Sequence, residues 1–186
     1  MYDDKPHASA LRKGRVSEPG QAYFVTKCAL GPFLERPDCA RVVVDSLLWA
    51  RDNGWWRILG FVVMPTHYHV TFGLGDVKTL SDAMYSVDRF TATSLNRILG
   101  RSGSLWEQGF YDHAIRDRVD FDGILAYIHA NPVVAGLVES EEQWLYSTAN
   151  VTYLAEIDWE WLGPAIPRFV SDARRFDEQT IAARYR

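Results

Sequence analysis

Apolar residues recur at two spacings along this 186-residue chain, at every second position in some stretches and at every third or fourth in others. QAYFVTKCAL (21–30), dense in aromatic and β-branched residues, predicts a first strand. Beyond Gly31-Pro32, residues 37–52 open on Pro37 and carry Val43, Val44, Leu47 and Leu48 at helical spacing until Asn53-Gly54. WWRILGFVVMP (55–65) and HYHVTFGL (67–74) predict an antiparallel hairpin around Met64-Pro65-Thr66. Thr79, with Asp82 three residues on, resembles a cap for a long helix with Leu80, Met84, Val87, Leu95 and Ile98 on its apolar side, ending near Gly100. SLWEQGFYDHAIR (104–116) returns to strand chemistry. Asp117 and Asp120 then open a helix through Ile124, Leu125 and Ile128 that Pro132 is expected to stop. This order predicts an α+β fold: a ferredoxin-like antiparallel sheet with helices packed on its faces.

With 47% hydrophobic residues, the chain is long enough for one sizeable core and short for two. Three parts are expected: a basic N-terminal arm at 1–20, a folded domain at 21–138, and an acidic extension at 139–186 whose Trp144, Trp159 and Trp161 favour docking on the body. No stretch has the apolar length of a membrane span or the apolar middle of a signal peptide, so no membrane partner and a cytoplasmic location are expected. Cys28 and Cys39 read as reduced, packed thiols. The net charge of −4 argues mildly against nucleic acid, but the surplus acid lies beyond residue 130 and leaves a basic cluster at Arg12, Lys13 and Arg15.

Candidate chemistry concentrates at two places. Strand alternation points His67 and His69 the same way and Tyr68 oppositely, which makes a ready pair of metal ligands. Two imidazoles fall short of a closed zinc site, and their ordinary reading is a pair of half-exposed histidines on a sheet. On the last helix Tyr127 and Asn131 are four apart and share a face, with His129 turned away from both. Taken alone, the tyrosine reads as a core residue with its hydroxyl at the rim, and the asparagine as a helix stop before proline. If that face covers the histidines, a divalent cation held by the imidazoles and the Asn131 oxygen can polarise a phosphate. The Tyr127 oxygen can then attack phosphorus. A phenol, with pKa about 10, needs activation by the cation or a base.

Five stretches in order, LRKGRVSEPGQAYFVT, VVMPTHYHV, SLWEQGFYDHAIRD, YIHANPVVAGLV and WLYST, resemble the REP-associated tyrosine transposases, within the single-tyrosine HUH (His-hydrophobe-His) transposases. The resemblance implies a nucleoid-associated enzyme, with 21–138 as its catalytic domain, that nicks and rejoins single-stranded hairpin DNA through a 5′-phosphotyrosine link. It implies Tyr127 as nucleophile, His67 and His69 as metal ligands with Asn131 as a third, amide-type ligand, and Mg²⁺ or Mn²⁺ as cofactor. Arg12, Lys13 and Arg15 are expected to contact DNA flanking the hairpin, with Arg89 and Arg97 as further DNA-binding candidates, in a monomer or homodimer. The chain departs from the family pattern at Thr66, where relatives often have Asn, at the bulky Tyr68, and at Glu107-Gln108, where a Gln-Arg type pair is common. Two other readings compete: a non-catalytic, domesticated DNA-hairpin binding protein, and a small metallohydrolase with Asp112 as base.

Overall fold

The computed structural model describes residues 17–158. Four strands, β1 (Ala22–Cys28), β2 (Trp56–Val63), β3 (His67–Leu74) and β4 (Tyr111–Ala114), form one antiparallel sheet in the order β2-β3-β1-β4. Between them run α1 (Pro37–Asp52) and α2 (Leu80–Ile98), and after β4 come α3 (Arg118–Val134) and a short α4 (Val151–Leu154). Helices cover both faces, so the expected α+β, ferredoxin-like plan is the one observed. Among the described residues no helix is long and apolar enough to cross a membrane.

Helix starts follow local chemistry. Pro37 opens α1, Thr79 Oγ1 accepts from Asp82 N at 3.1 Å to open α2, and Asp117 Oδ1 accepts from Asp120 N at 2.9 Å to open α3. Strand alternation then sorts the core into two layers. Tyr23, Val25, Phe61, Val63, Tyr68, Val70 and Phe72 pack beneath α1 and α2, whereas Phe24, Leu59, Val62 and Met64 pack beneath α3 with Ile124, Leu125 and Ile128.

Two expectations are corrected. The strand expected over 104–116 is regular only at Tyr111–Ala114; upstream, a single bridge joins Trp106 to Ala29. The cause is Lys27, which is 3% exposed and needs partners for its ammonium: its Nζ takes Glu107 O at 2.8 Å, Gly109 O at 2.7 Å and Asp88 Oδ2 at 2.9 Å. Those carbonyls are drawn to the lysine. Nor does Pro132 stop α3, which continues to Val134. So near the end of the helix the missing proline N–H costs a single bond, and Ala135 N and Leu137 N close the last turn on Asn131 O (3.0 Å) and Pro132 O (2.9 Å).

The segment after α3 runs along the outer edge of β2. Val63 N donates to Tyr146 O (2.8 Å), Thr148 N to Phe61 O (3.0 Å) and Asp158 N to Ile58 O (2.8 Å), so backbone groups that an edge strand would expose are paired. Its Arg51–Glu156 ion pair adds a further tie to α1.

How closely α3 approaches the sheet is set at Gly60, beside a register shift in β2 that turns Leu59 and Gly60 toward the helix. A Cβ at Gly60 would lie 2.5 Å from Leu125 Cδ1 and 3.3 Å from Thr71 Cγ2, both in buried residues. Gly60→Val should therefore overpack this layer and destabilise the protein by about 1–3 kcal/mol. Denaturant unfolding checks this, and an unchanged midpoint would mean that α3 does not rest on this strand.

Candidate active site

In β3, Tyr68 and Val70 belong to the layer under α1 and α2, so His67 and His69 face α3. Their ring centroids are 4.7 Å apart. His69 is 2% exposed and stacks on Phe24 at 5.4 Å. Opposite it in the ladder is Thr26, whose Oγ1 lies 2.8 Å from His69 Nδ1. His67 is half-buried, with its Nδ1 3.1 Å from Thr66 Oγ1.

From above, α3 brings Tyr127 and Asn131 onto this spot. The Tyr127 ring meets His69 at 5.3 Å and 60°, and stands edge-on to Phe24 at 6.3 Å. One turn on, Asn131 Nδ2 donates to Tyr127 O at 2.8 Å, which leaves its Oδ1 as the amide atom available to the imidazoles. The structure thus brings His67, His69, Tyr127 and Asn131 together. His129, on the other side of α3, bonds instead through Nε2 to Thr148 Oγ1 at 2.9 Å.

Burial governs the electrostatics here. It lowers the pKa of His67 and drives that of His69 well below the ordinary imidazole value, while the Asn131 amide works weakly the other way on both. Both rings are therefore neutral at pH 7, the form in which imidazole binds metals. His69 Nε2 is buried and has no hydrogen-bond partner among the described residues. Among those residues no three His, Cys, Asp or Glu side chains cluster, and Asn131 offers an amide oxygen beside the histidine pair.

Other sequence candidates fall elsewhere. Asp112 pairs with Val25 in the ladder and so points to the α1/α2 side, away from the histidines, which removes it as a base for a histidine-only hydrolase. Arg89 and Arg97 are exposed on α2, across the sheet from His69. Arg12, Lys13 and Arg15 lie outside the described residues. Arg116 lies 3.4 Å from Asp120, which also holds His113 at 2.8 Å. Sequence reasoning missed Thr26. Its signal was strand pairing, because only the β1–β3 register sets it beside His69.

Comparison with known proteins points one way. The chain is 33% identical to the Escherichia coli K12 REP-associated tyrosine transposase, matching 56% of this chain and 62% of that protein. It is 32% identical to a Haemophilus influenzae protein provisionally given the same name, matching 56% of this chain and 66% of that one. In both cases it spans slightly less than two thirds of the relative's length. A solved REP-associated tyrosine transposase bound to a REP hairpin superposes with a TM-score of 0.62 over 84% of this chain and 97% of the other, at 22% identity, a likeness of fold. No family model matches the chain. By fold this is a ferredoxin-like α+β protein, and by sequence it is a relative of the REP-associated tyrosine transposases, the family its motifs resemble.

A buried histidine of α3 itself sets a pH dependence. Burial lowers the pKa of His129 to about 4, so between the ordinary value of 6.5 and about 4 the unfolded chain takes up a proton that the folded one refuses. Stability is then complete above pH 6.5, declines on acidification and levels off below about 4. In His129→Gln, urea unfolding across this range should show a shallower decline, by up to about 1.4 kcal/mol per pH unit. An unchanged slope would refute the assignment to His129.

Proposed function

We propose that this protein is a metal-dependent, single-tyrosine DNA strand transferase that cleaves and rejoins single-stranded, REP-type hairpin DNA. The observation that carries the reading is the packing of the Tyr127 ring on His69, with Asn131 one turn further along the same helix. The names of the relatives, one of them bound to a REP hairpin, support the choice of DNA.

In this reading His67, His69 and the Asn131 oxygen hold a Mg²⁺ or Mn²⁺ ion. The fit rests on the buried His69 Nε2, without a hydrogen-bond partner among the described residues, and on neutral imidazoles beside an amide oxygen, a donor set that suits Mn²⁺ at least as well as Mg²⁺. When bound, the cation supplies positive charge to a phosphate oxygen and stabilises the charge that develops there. Tyr127 supplies the nucleophile: its Oη forms a bond to phosphorus as the bond from phosphorus to the 3′-oxygen breaks. The phenol proton is given up and the departing 3′-oxygen gains one, leaving a 3′-hydroxyl and a 5′-phosphotyrosine. One phosphodiester replaces another. Attack by a 3′-hydroxyl on that link therefore rejoins a strand with no external energy source. Phe24, behind both Tyr127 and His69, keeps the two rings in register and excludes water from that side.

With single-stranded REP-type hairpin DNA and Mn²⁺, wild-type protein should form a covalent adduct that denaturing gels resolve, whereas Tyr127→Phe should bind the hairpin with similar affinity and form none. Hairpin binding without an adduct in the wild type would favour the non-catalytic binding protein, and an adduct in Tyr127→Phe would overturn the nucleophile. Separately, Mn²⁺ at about 100 times its Kd should stabilise the wild-type fold by about 2.7 kcal/mol. His69→Ala should abolish that increment, as read by thermal unfolding with and without the ion, and its survival in the variant would locate the ion elsewhere.

A further inference from the structure

We infer that Thr26 is a positioning residue that holds His69 in the tautomer with hydrogen on Nδ1, leaving the Nε2 lone pair directed into the site. Thr26 and His69 are directly paired residues of neighbouring antiparallel strands, on the face that α3 covers, and the 2.8 Å contact between Thr26 Oγ1 and His69 Nδ1 closes that pair. A threonine hydroxyl both donates and accepts, so distance alone allows two arrangements. Burial discriminates between them. If Thr26 donated to Nδ1, the imidazole hydrogen would sit on Nε2, a buried atom for which no acceptor among the described residues, the nearby Asn131 amide oxygen included, lies in hydrogen-bonding geometry. A buried N–H without an acceptor is costly, and more so in a ring that is 2% exposed. With the hydrogen on Nδ1, Thr26 Oγ1 accepts it and the bare nitrogen is Nε2, the atom a cation requires.

Thr26 is itself well placed for this work. Being β-branched, it has few side-chain rotamers in a strand, and β1 is central in the sheet with β3 on one side and β4 on the other, so its hydroxyl moves little. The contact is the kind of outer-shell bond that fixes the orientation and tautomer of a ligating histidine. The consequence for a cation rests on the proposed reading of His67 and His69 as ligands. The consequence for the tautomer does not, and is measured without metal.

Long-range ¹H–¹⁵N correlation spectra of the metal-free protein at pH 7, with the His69 signals assigned by their loss in His69→Gln, report which imidazole nitrogen carries hydrogen. Wild type and Thr26→Ser should show His69 protonated at Nδ1. Thr26→Val, nearly isosteric and at ease in a strand, should shift His69 toward the Nε2–H form or a mixture. Wild-type His69 protonated at Nε2, or a spectrum unchanged in folded Thr26→Val, would overturn the inference. Should Thr26→Val not fold, Thr26→Ala gives the same comparison. Titration with Mn²⁺ should then show affinity lowered about 10- to 100-fold in Thr26→Val and retained in Thr26→Ser. If the wild type takes up no Mn²⁺, the metal reading fails while the tautomer result still decides the role of Thr26.

Discussion

The close seating of α3 on the sheet is the constraint on which the site depends. Tyr127 and Asn131 are two side chains of one helix, His67 and His69 two of one strand, and nothing in either segment alone sets the distance between them. That distance is set where Gly60, lacking a side chain, lets Leu125 settle against β2 and Thr71. The layer of Phe24, Leu59, Val62, Ile124 and Ile128 then fixes the height of the helix. Because a packed apolar layer has little free volume, ring contacts such as that of Tyr127 on His69 are held in place.

Burial produces the chemistry as well as the geometry. The same layer that seats α3 removes water from His69, which keeps the imidazole neutral and leaves one ring nitrogen bonded to Thr26 and the other bare. A histidine pair on an open strand would exchange protons and waters freely. Under α3 the pair becomes a fixed donor set with an amide oxygen nearby. The opposite face of the sheet shows the contrasting solution for a buried polar group: Lys27 is satisfied by Asp88 and two carbonyls, and so holds the chain leading into β4 in place.

The edge of the sheet is handled by the chain after α3. Backbone bonds from Tyr146, Thr148 and Asp158 cover β2, and Thr148 serves twice, through its backbone on Phe61 and through its hydroxyl on His129 of α3. The segment that blunts the edge thereby also braces the far side of α3, so edge protection and site geometry share residues.

Much of this was legible in the residues themselves. Hydrophobic spacing and capping residues located β1, α1, β2, β3 and α2, since periodicity and caps are local, and strand alternation put His67 and His69 on one face before any partner was known. Helical spacing likewise paired Tyr127 with Asn131. Local rules failed where distant groups intervened: Lys27 took the carbonyls of Glu107 and Gly109, and tertiary packing carried α3 past Pro132. The side of the sheet faced by Asp112 and the pairing of Thr26 with His69 were decided by strand register, and the layer occupied by Arg89 and Arg97 by the packing of α2 on the sheet. Sequence carries the period of each element, but which faces meet depends on pairings between residues far apart in the chain, and only the folded sheet supplies them.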